Sequence, residues 1–415
     1  WQKDVAPNSL QTFNLPATYG LKGTGKSNAQ YRVVSNTPIT AYQFNPLDNE
    51  GVFSNDASVL LPTSGVGTEY YVATLPDTGS FKGYFAVAPT FAEGPTTVTI
   101  TPSAATEAGG LVLAMVAGQE REVTVNPGDV LHVRSASAGG DLTGTHITSD
   151  RAIVVMSGHV AAVTGTKCCA DHLEQQMAPV ATWDKEYVIG RSMERGNEPD
   201  YFVVVAQAAN TQVTVFPAVT NPSTVTLGKG QKWSFTSKSH VRISANQPVM
   251  VAQFLASSQE AGADGQSCVS TPDCPKGYDC LFGACGSSLC FSENDCGPGH
   301  TCAGGGCTPI GDPALILAVP SSQWQKSYVF LSPDSYVEDY VNVVIESGGQ
   351  VVLDGGPFPA SPEAIGNTSF VTLRAKVSDG QHRISADKPF SITVYGYDRD
   401  VSYGYPGGLG LTTKN

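Results

Sequence analysis

The densest group of chemically capable side chains in the chain is His159, Cys168, Cys169, Asp171, His172 and Glu174. A thiolate beside an imidazole is the core of a nucleophile pair, and with carboxylates added the same set is a metal-ligand candidate. The competing reading takes Cys168 or Cys169 as bonded, its neighbour being one possible partner. Asp171, His172 and Glu174 then cap a short helix or turn within Cys169 to Gln176. An oxidising compartment leaves few free catalytic thiols, so the structural reading prevails. Asp334, Glu338 and Asp339, or Asp398 and Asp400, are the candidate calcium ligands. Calcium needs six or more oxygens and no EF-hand loop is present, so solvated carboxylates are the default and no cofactor is required. Trp233, Trp183 and Trp324 are flat enough to stack on sugars. Trp183 and Trp324 recur in register, which assigns them to a core or module junction, whereas Trp233 on an alternating strand is less constrained. Gly311-Asp312-Pro313 is followed by Ala314 rather than the His of a self-cleaving Gly-Asp-Pro-His sequence, and reads as a turn. Asn367-Thr368-Ser369 is a glycosylation sequon wherever the producing cell glycosylates secreted chains. No nucleophile elbow, phosphate loop or His-Glu-x-x-His is present.

The other eight of the 10 cysteines are Cys268, Cys274, Cys280, Cys285, Cys290, Cys296, Cys302 and Cys307. The last four repeat the first four at an offset of 22, both as C-x5-C-x5-C-x4-C. Asp273 and Asp295 precede the second cysteine of each copy, and Gly277 and Gly299 follow it by three. Zinc modules favour closer pairs with supporting His, and only His300 is nearby, so disulfides are the better reading. The copies hold too few apolar residues to bury a core and must be stapled. Eight cysteines allow 105 pairings; the duplication favours two bridges inside each copy, first to third and second to fourth. The protein therefore matures in an oxidising space, secreted or on a cell surface, with anchoring through an upstream segment left open. Trp1 reads as the start of a mature or trimmed chain.

The 415 residues carry Lys+Arg 24 against Asp+Glu 37, a net charge of -13. That balance disfavours nucleic acid and acidic membrane surfaces. No apolar run is long enough for a membrane helix.

Two repeats organise the rest. Arg32-Val33-Val34-Ser35-Asn36-Thr37-Pro38-Ile39 recurs as Arg242 to Val249, as His382 to Phe390 and loosely as Thr145 to Ile153. Each is a β-rich run, a polar turn and a second β-rich run, a hairpin-like or corner element. Pro179-x3-Trp183-x-Lys185-x-Tyr187 recurs as Pro320-x3-Trp324-x-Lys326-x-Tyr328 and, degenerately, from Pro62 to Tyr70. Allowing for the cysteine-rich insertion, the unit is about 90 residues with about seven short strands. The expected fold is all-β: three tandem β-sandwich-like modules with a small disulfide-rich insertion. A propeller-like closed array is the alternative. The segments are 1–160, a half-unit plus the first module; 161–262, the second; 263–310, the insertion; and 311–415, the third.

Particular stretches carry a resemblance. They are Ile39-Thr40-Ala41-Tyr42-Gln43-Phe44-Asn45-Pro46-Leu47, Ser54-Asn55-Asp56-Ala57-Ser58, and Ala170-Asp171-His172-Leu173-Glu174-Gln175-Gln176. The last pair is Val394-Tyr395-Gly396-Tyr397 with Tyr403-Gly404-Tyr405-Pro406-Gly407-Gly408. Here the chain resembles the IgGFc-binding protein N-terminal domain family, found in an animal mucus glycoprotein and in bacterial secreted and surface proteins. The insertion is similar to small Dickkopf-type cysteine modules of bacterial secreted proteins. The resemblance implies an adhesion or matrix context and brings no catalytic residue set. The expected function is non-enzymatic binding of an extracellular glycoprotein, polysaccharide or protein. Self-association into a fibre or surface layer is second, and an extracellular metal-dependent or Cys/His hydrolase third. Weak binding candidates are Trp233, His159, Asp171, His172 and Glu174.

Overall fold

A computed structural model describes residues 2–7, 9–16, 22–47, 54–90, 94–262, 266–274 and 277–411, and Trp1 lies outside them. The described chain is nearly all β. In the second module the strands are Asp184–Ile189, Asp200–Ala206, Thr211–Phe216, Thr224–Leu227, Lys232–Ser237, Val241–Phe254 and Leu315–Leu317. Five of them form an antiparallel sheet in the order fourth, third, sixth, second, fifth, and the first and seventh also pair with the sixth.

The long sixth strand explains the first repeat, because each of its two halves has its own neighbours. Arg242 to Ala245 pairs with the first and third strands, and Val249 to Phe254 pairs with the second. Between them Asn246 and Gln247 are exposed, and Pro248 has no N–H to leave unpaired. The motif is thus a corner within one continuous strand rather than a hairpin, and His146–Ala162 and Gly380–Asp398 repeat it. Its N-terminal copy, residues 32–39, is not a strand.

The second repeat is the bolt on that corner. Pro62, Pro179 and Pro320 each open one turn of 3-10 helix, and the strand that follows shifts register against the long strand. Tyr70, Tyr187 and Tyr328 then donate their hydroxyls to the carbonyls of Ile153, Val249 and Phe390, at 2.8, 2.6 and 2.7 Å. Trp183 and Trp324 donate Nε1 to Ala178 and Val319 carbonyls, both at 3.2 Å. Trp183 packs on Tyr71 of the first module, and Trp324 packs on Phe370 and on a cluster of Val188 with Val344 and Ile365 that spans the second and third modules, so both are core and junction residues.

The closing strands lie beyond the expected segment limits: Asp171–Gln176 returns to the first sheet and Leu315–Leu317 to the second. The stretch from Cys169 to Gln176, expected as a helical turn, is this first closing strand; its backbone is taken up by Met156 to Ala162. The propeller alternative does not hold. The sheets are open half-barrels of seven or eight strands, since the long strand belongs to both halves of each module.

The modules share cores. Val203, Val205, Met250, Ala252, Phe254, Leu315 and Leu317 of the second module join the first module's core around Tyr70, Phe85 and Leu173. The N-terminal hairpin, Ala41–Phe44 with Ala57–Leu60, is seated in the third. There Tyr42 donates to the Val329 carbonyl at 2.8 Å, and Phe44 meets the Tyr403 ring at 5.7 Å.

Where the three closing strands meet this hairpin, Asp56 is fully buried. Its Oδ1 accepts the N–H groups of Ala57 and Gly404, at 2.8 and 3.2 Å. Its Oδ2 accepts those of Glu174 and Leu315, at 2.9 and 3.1 Å. Burial pushes its proton affinity up and the four donors pull it back. Asp171, also buried, accepts N–H groups from Asn55, His172 and Ser402 at 2.7, 2.7 and 2.9 Å. Asp56→Asn turns one acceptor oxygen into a donor facing two N–H groups. Denaturant unfolding is expected to show a loss of about 2–5 kcal/mol, with the three modules destabilised together.

Candidate functional site

The expected His and Cys cluster does not converge on a nucleophile. Cys168 and Cys169 are bonded to each other, so neither sulfur is a thiolate. Their loop leans on the root of the insertion: the Cys168 carbonyl accepts Gln259 N–H at 3.0 Å, and Glu260 Oε1 accepts the N–H groups of Thr166 and Lys167 at 2.6 and 2.8 Å. His159 is buried apart from them, with its Nδ1 accepting Ala161 N–H at 3.2 Å; desolvation holds its pKa down to about 4, a neutral ring. Asp171 is occupied by backbone, as described above.

His172 and Glu174 do come together, in a polar seam between the N-terminal hairpin and the first module. His172 Nε2 lies 3.2 Å from Tyr84 Oη, 3.4 Å from Asn45 Nδ2 and 3.8 Å from Glu174 Oε2. Gln43 donates to Glu174 Oε1 at 2.8 Å, and the Tyr84 ring lies between those of His132 and His172. These contacts join the N-terminal hairpin to the first module.

The acidic candidates are also divided. Asp334 is exposed, while Glu338 and Asp339 are buried with different partners. Glu338 accepts Tyr340 Oη and Gly299 N–H, both at 2.7 Å. Asp339 accepts Tyr403 Oη at 2.5 Å. Among the described residues, the groups of three whose ligand atoms lie close enough for a metal are Cys268, Cys274, Cys285 and Cys290, Cys296, Cys307, and all six sulfurs are in disulfides. Trp233 is half-buried against Phe235, with ring centroids 4.8 Å apart, and rims the second core.

What stands out from the sheets is the insertion, here called the arm. It is two hairpins, Tyr278–Leu281 with Ala284–Ser287 and His300–Ala303 with Gly306–Pro309. Bridges join Cys268 to Cys280, Cys274 to Cys285, Cys290 to Cys302 and Cys296 to Cys307. Asp273 accepts the N–H groups of Val269 and Ser270, and Asp295 those of Phe291 and Ser292, so each pins the loop after the first cysteine of its copy. Gly277 and Gly299 both have positive φ, +77° and +78°, and a Cβ there would strike His300 and Arg195.

The neck of the arm is held by Arg195, a residue the sequence did not single out. It is buried, and its guanidinium donates to the carbonyls of Ala256 at 2.6 Å, Ile310 at 2.7 Å and Gly311. One cation thus gathers both ends of the excursion, with Glu198 as counter-ion at 3.4 Å and the Tyr397 ring at 4.6 Å. Beyond the neck, Val269, Leu281, Phe282, Leu289 and Phe291 are all exposed.

Burial raises the Asp339 pKa to about 7; Asp379 and Asp398 add to this, and Tyr403 and Lys376 oppose it. The folded state therefore keeps a proton that the unfolded chain releases above its ordinary carboxylate pKa. Stability falls as pH rises from about 4 to about 7 and levels off above that, at most about 1.4 kcal/mol per pH unit. Asn at this position still accepts from Tyr403 and carries no charge. Asp339→Asn is expected to match the parent near pH 4 and exceed it at pH 8 in unfolding midpoint.

The family model described as "IgGFc binding protein" matches residues 56–274 and 285–396, most of the chain. The human protein named "IgGFc-binding protein" is 31% identical over 154 residues, 37% of this chain and 3% of that protein's length. The matched residues take in the closing strand Asp171–Gln176, the three bolting tyrosines and most of the arm; the unmatched interval, 275–284, contains Leu281 and Phe282. On this match over most of its length, the chain belongs to the IgGFc-binding protein family.

Proposed function

We propose that this chain is a non-enzymatic adhesion protein of the extracellular space or cell surface, recognising a glycoprotein, polysaccharide or protein ligand. The observation that carries the reading is the division of labour among its polar groups. The histidines, carboxylates and paired cysteines that could support catalysis are spent on joining segments, while a disulfide-stapled arm projects uncovered apolar side chains. The human relative's name records binding to antibody constant regions, and that ligand is one probe for this chain.

The test is binding of the oxidised chain to immobilised mucins, surface polysaccharides and antibody constant regions. Saturable binding to one class is expected; a turnover abolished by His172→Ala would overturn the non-enzymatic reading. A second reading, self-association into a fibre or surface layer, is favoured by residues 32–39. They repeat the corner motif outside any strand and leave Val33 and Val34 exposed, where the equivalent Ile243 and Ile384 are buried. Under that reading sedimentation velocity shows concentration-dependent growth that Val34→Lys suppresses, and a monomer unchanged by dilution counts against it.

A further inference from the structure

We propose that the end of the arm's first hairpin, Leu281 and Phe282 with Val269, is the partner-binding surface. Its occupant is a protein presenting an apolar pocket rimmed by Lys and Arg. This rests on the reading of the chain as a binding protein and names the site and the partner's chemistry.

The arm's duplication provides an internal control. Phe282 has φ +54° and its counterpart 22 residues on, Gly304, has φ +63°. That backbone conformation suits glycine and is unfavourable for a bulky L side chain. Phe282 nevertheless occupies it, with its ring fully exposed, so folding gains nothing from the ring. The position after the first cysteine tells the same story twice: Val269 is 95% exposed and Phe291 is 96% exposed. Cys268 donates its N–H to the Gly283 carbonyl at 3.0 Å and is bridged to Cys280, so Val269 and Leu281-Phe282 share one end of the hairpin.

The display is rigid. Four bridges fix the two copies and Arg195 fixes the neck, so little conformational entropy is lost when a partner docks. Leu281 and Phe282 lie in the interval 275–284 that the family model leaves unmatched, and Val269 lies within the match. Charge selects the occupant. Residues 263–310 carry Asp264, Asp273, Asp279, Glu293 and Asp295 against Lys276, and Asp273 and Asp295 are exposed. An acidic surround favours a basic-rimmed partner and disfavours a second copy of a chain at net charge -13.

The experiment compares the full oxidised chain with Phe282→Gly and Phe291→Ser against immobilised antibody constant regions, mucins and polysaccharides. Expected is binding to a protein or glycoprotein probe that weakens at least about tenfold in Phe282→Gly, with slower association at high salt. The unfolding midpoint of Phe282→Gly stays level or rises. Full binding by both variants overturns the proposal and leaves the adhesion reading standing. A lowered midpoint for Phe282→Gly overturns it too, since the ring would then pack within the fold. Binding confined to polysaccharide and indifferent to salt overturns the stated partner chemistry. No binding by the parent to any probe sinks the adhesion reading and this one with it.

Discussion

A carboxylate offers about four lone-pair directions, and Asp56 gives all of them to backbone N–H groups on four separate segments. Strands of adjacent modules meet there without pairing along their lengths, so their N–H groups would otherwise be buried without acceptors. Each such orphan is costly, and a carboxylate is one of the few groups that satisfies several at once. Asp171 repeats the device for Asn55 and Ser402, and Gln175 adds its amide to the carbonyls of Ala57 and Gly404. The three modules are therefore one cooperative body around a polar centre, with the apolar cores disposed about it.

The polar cluster around His172 belongs to the same arrangement. Its members are the lining of a junction between chain segments distant in sequence, and junctions between β-modules need polar partners at their edges. The arm is an excursion from one loop between the long and closing strands of the second module. The recognition we propose is placed on this excursion, whose residues are released from the packing that constrains the sheets.

The all-β class and the disulfide-rich insertion were legible because each has a local signature. Strand alternation, the Trp-x-Lys-x-Tyr spacing and the cysteine repeat can all be read within a window of some tens of residues. The corner was legible only as one of two possibilities, because a polar turn between β-rich runs looks the same whether the chain reverses or bends. The stretch at Asp171 was misread as helical since a closing strand buried on both faces loses its alternation. What Asp56 and Arg195 do was hidden for a different reason. Their roles depend on partners up to 348 residues away, and a single sequence contains no trace of that proximity. Phe282 had a signal that went unused, an aromatic where the second copy of the repeat has glycine.

Seating the N-terminal hairpin in the third module's core has a kinetic meaning. Tyr42 finds Val329 across 287 residues, and Asp56 finds Gly404 across 348. Module by module, a growing chain can complete the first two sheets as they emerge, but the hairpin's apolar face stays uncovered until almost everything downstream has been made. Closure of the molecule is therefore a late, long-range event. Until it happens, Tyr42, Phe44, Ala57 and Val59 form a sticky surface, which is a reason for that segment to be shielded through the whole of synthesis.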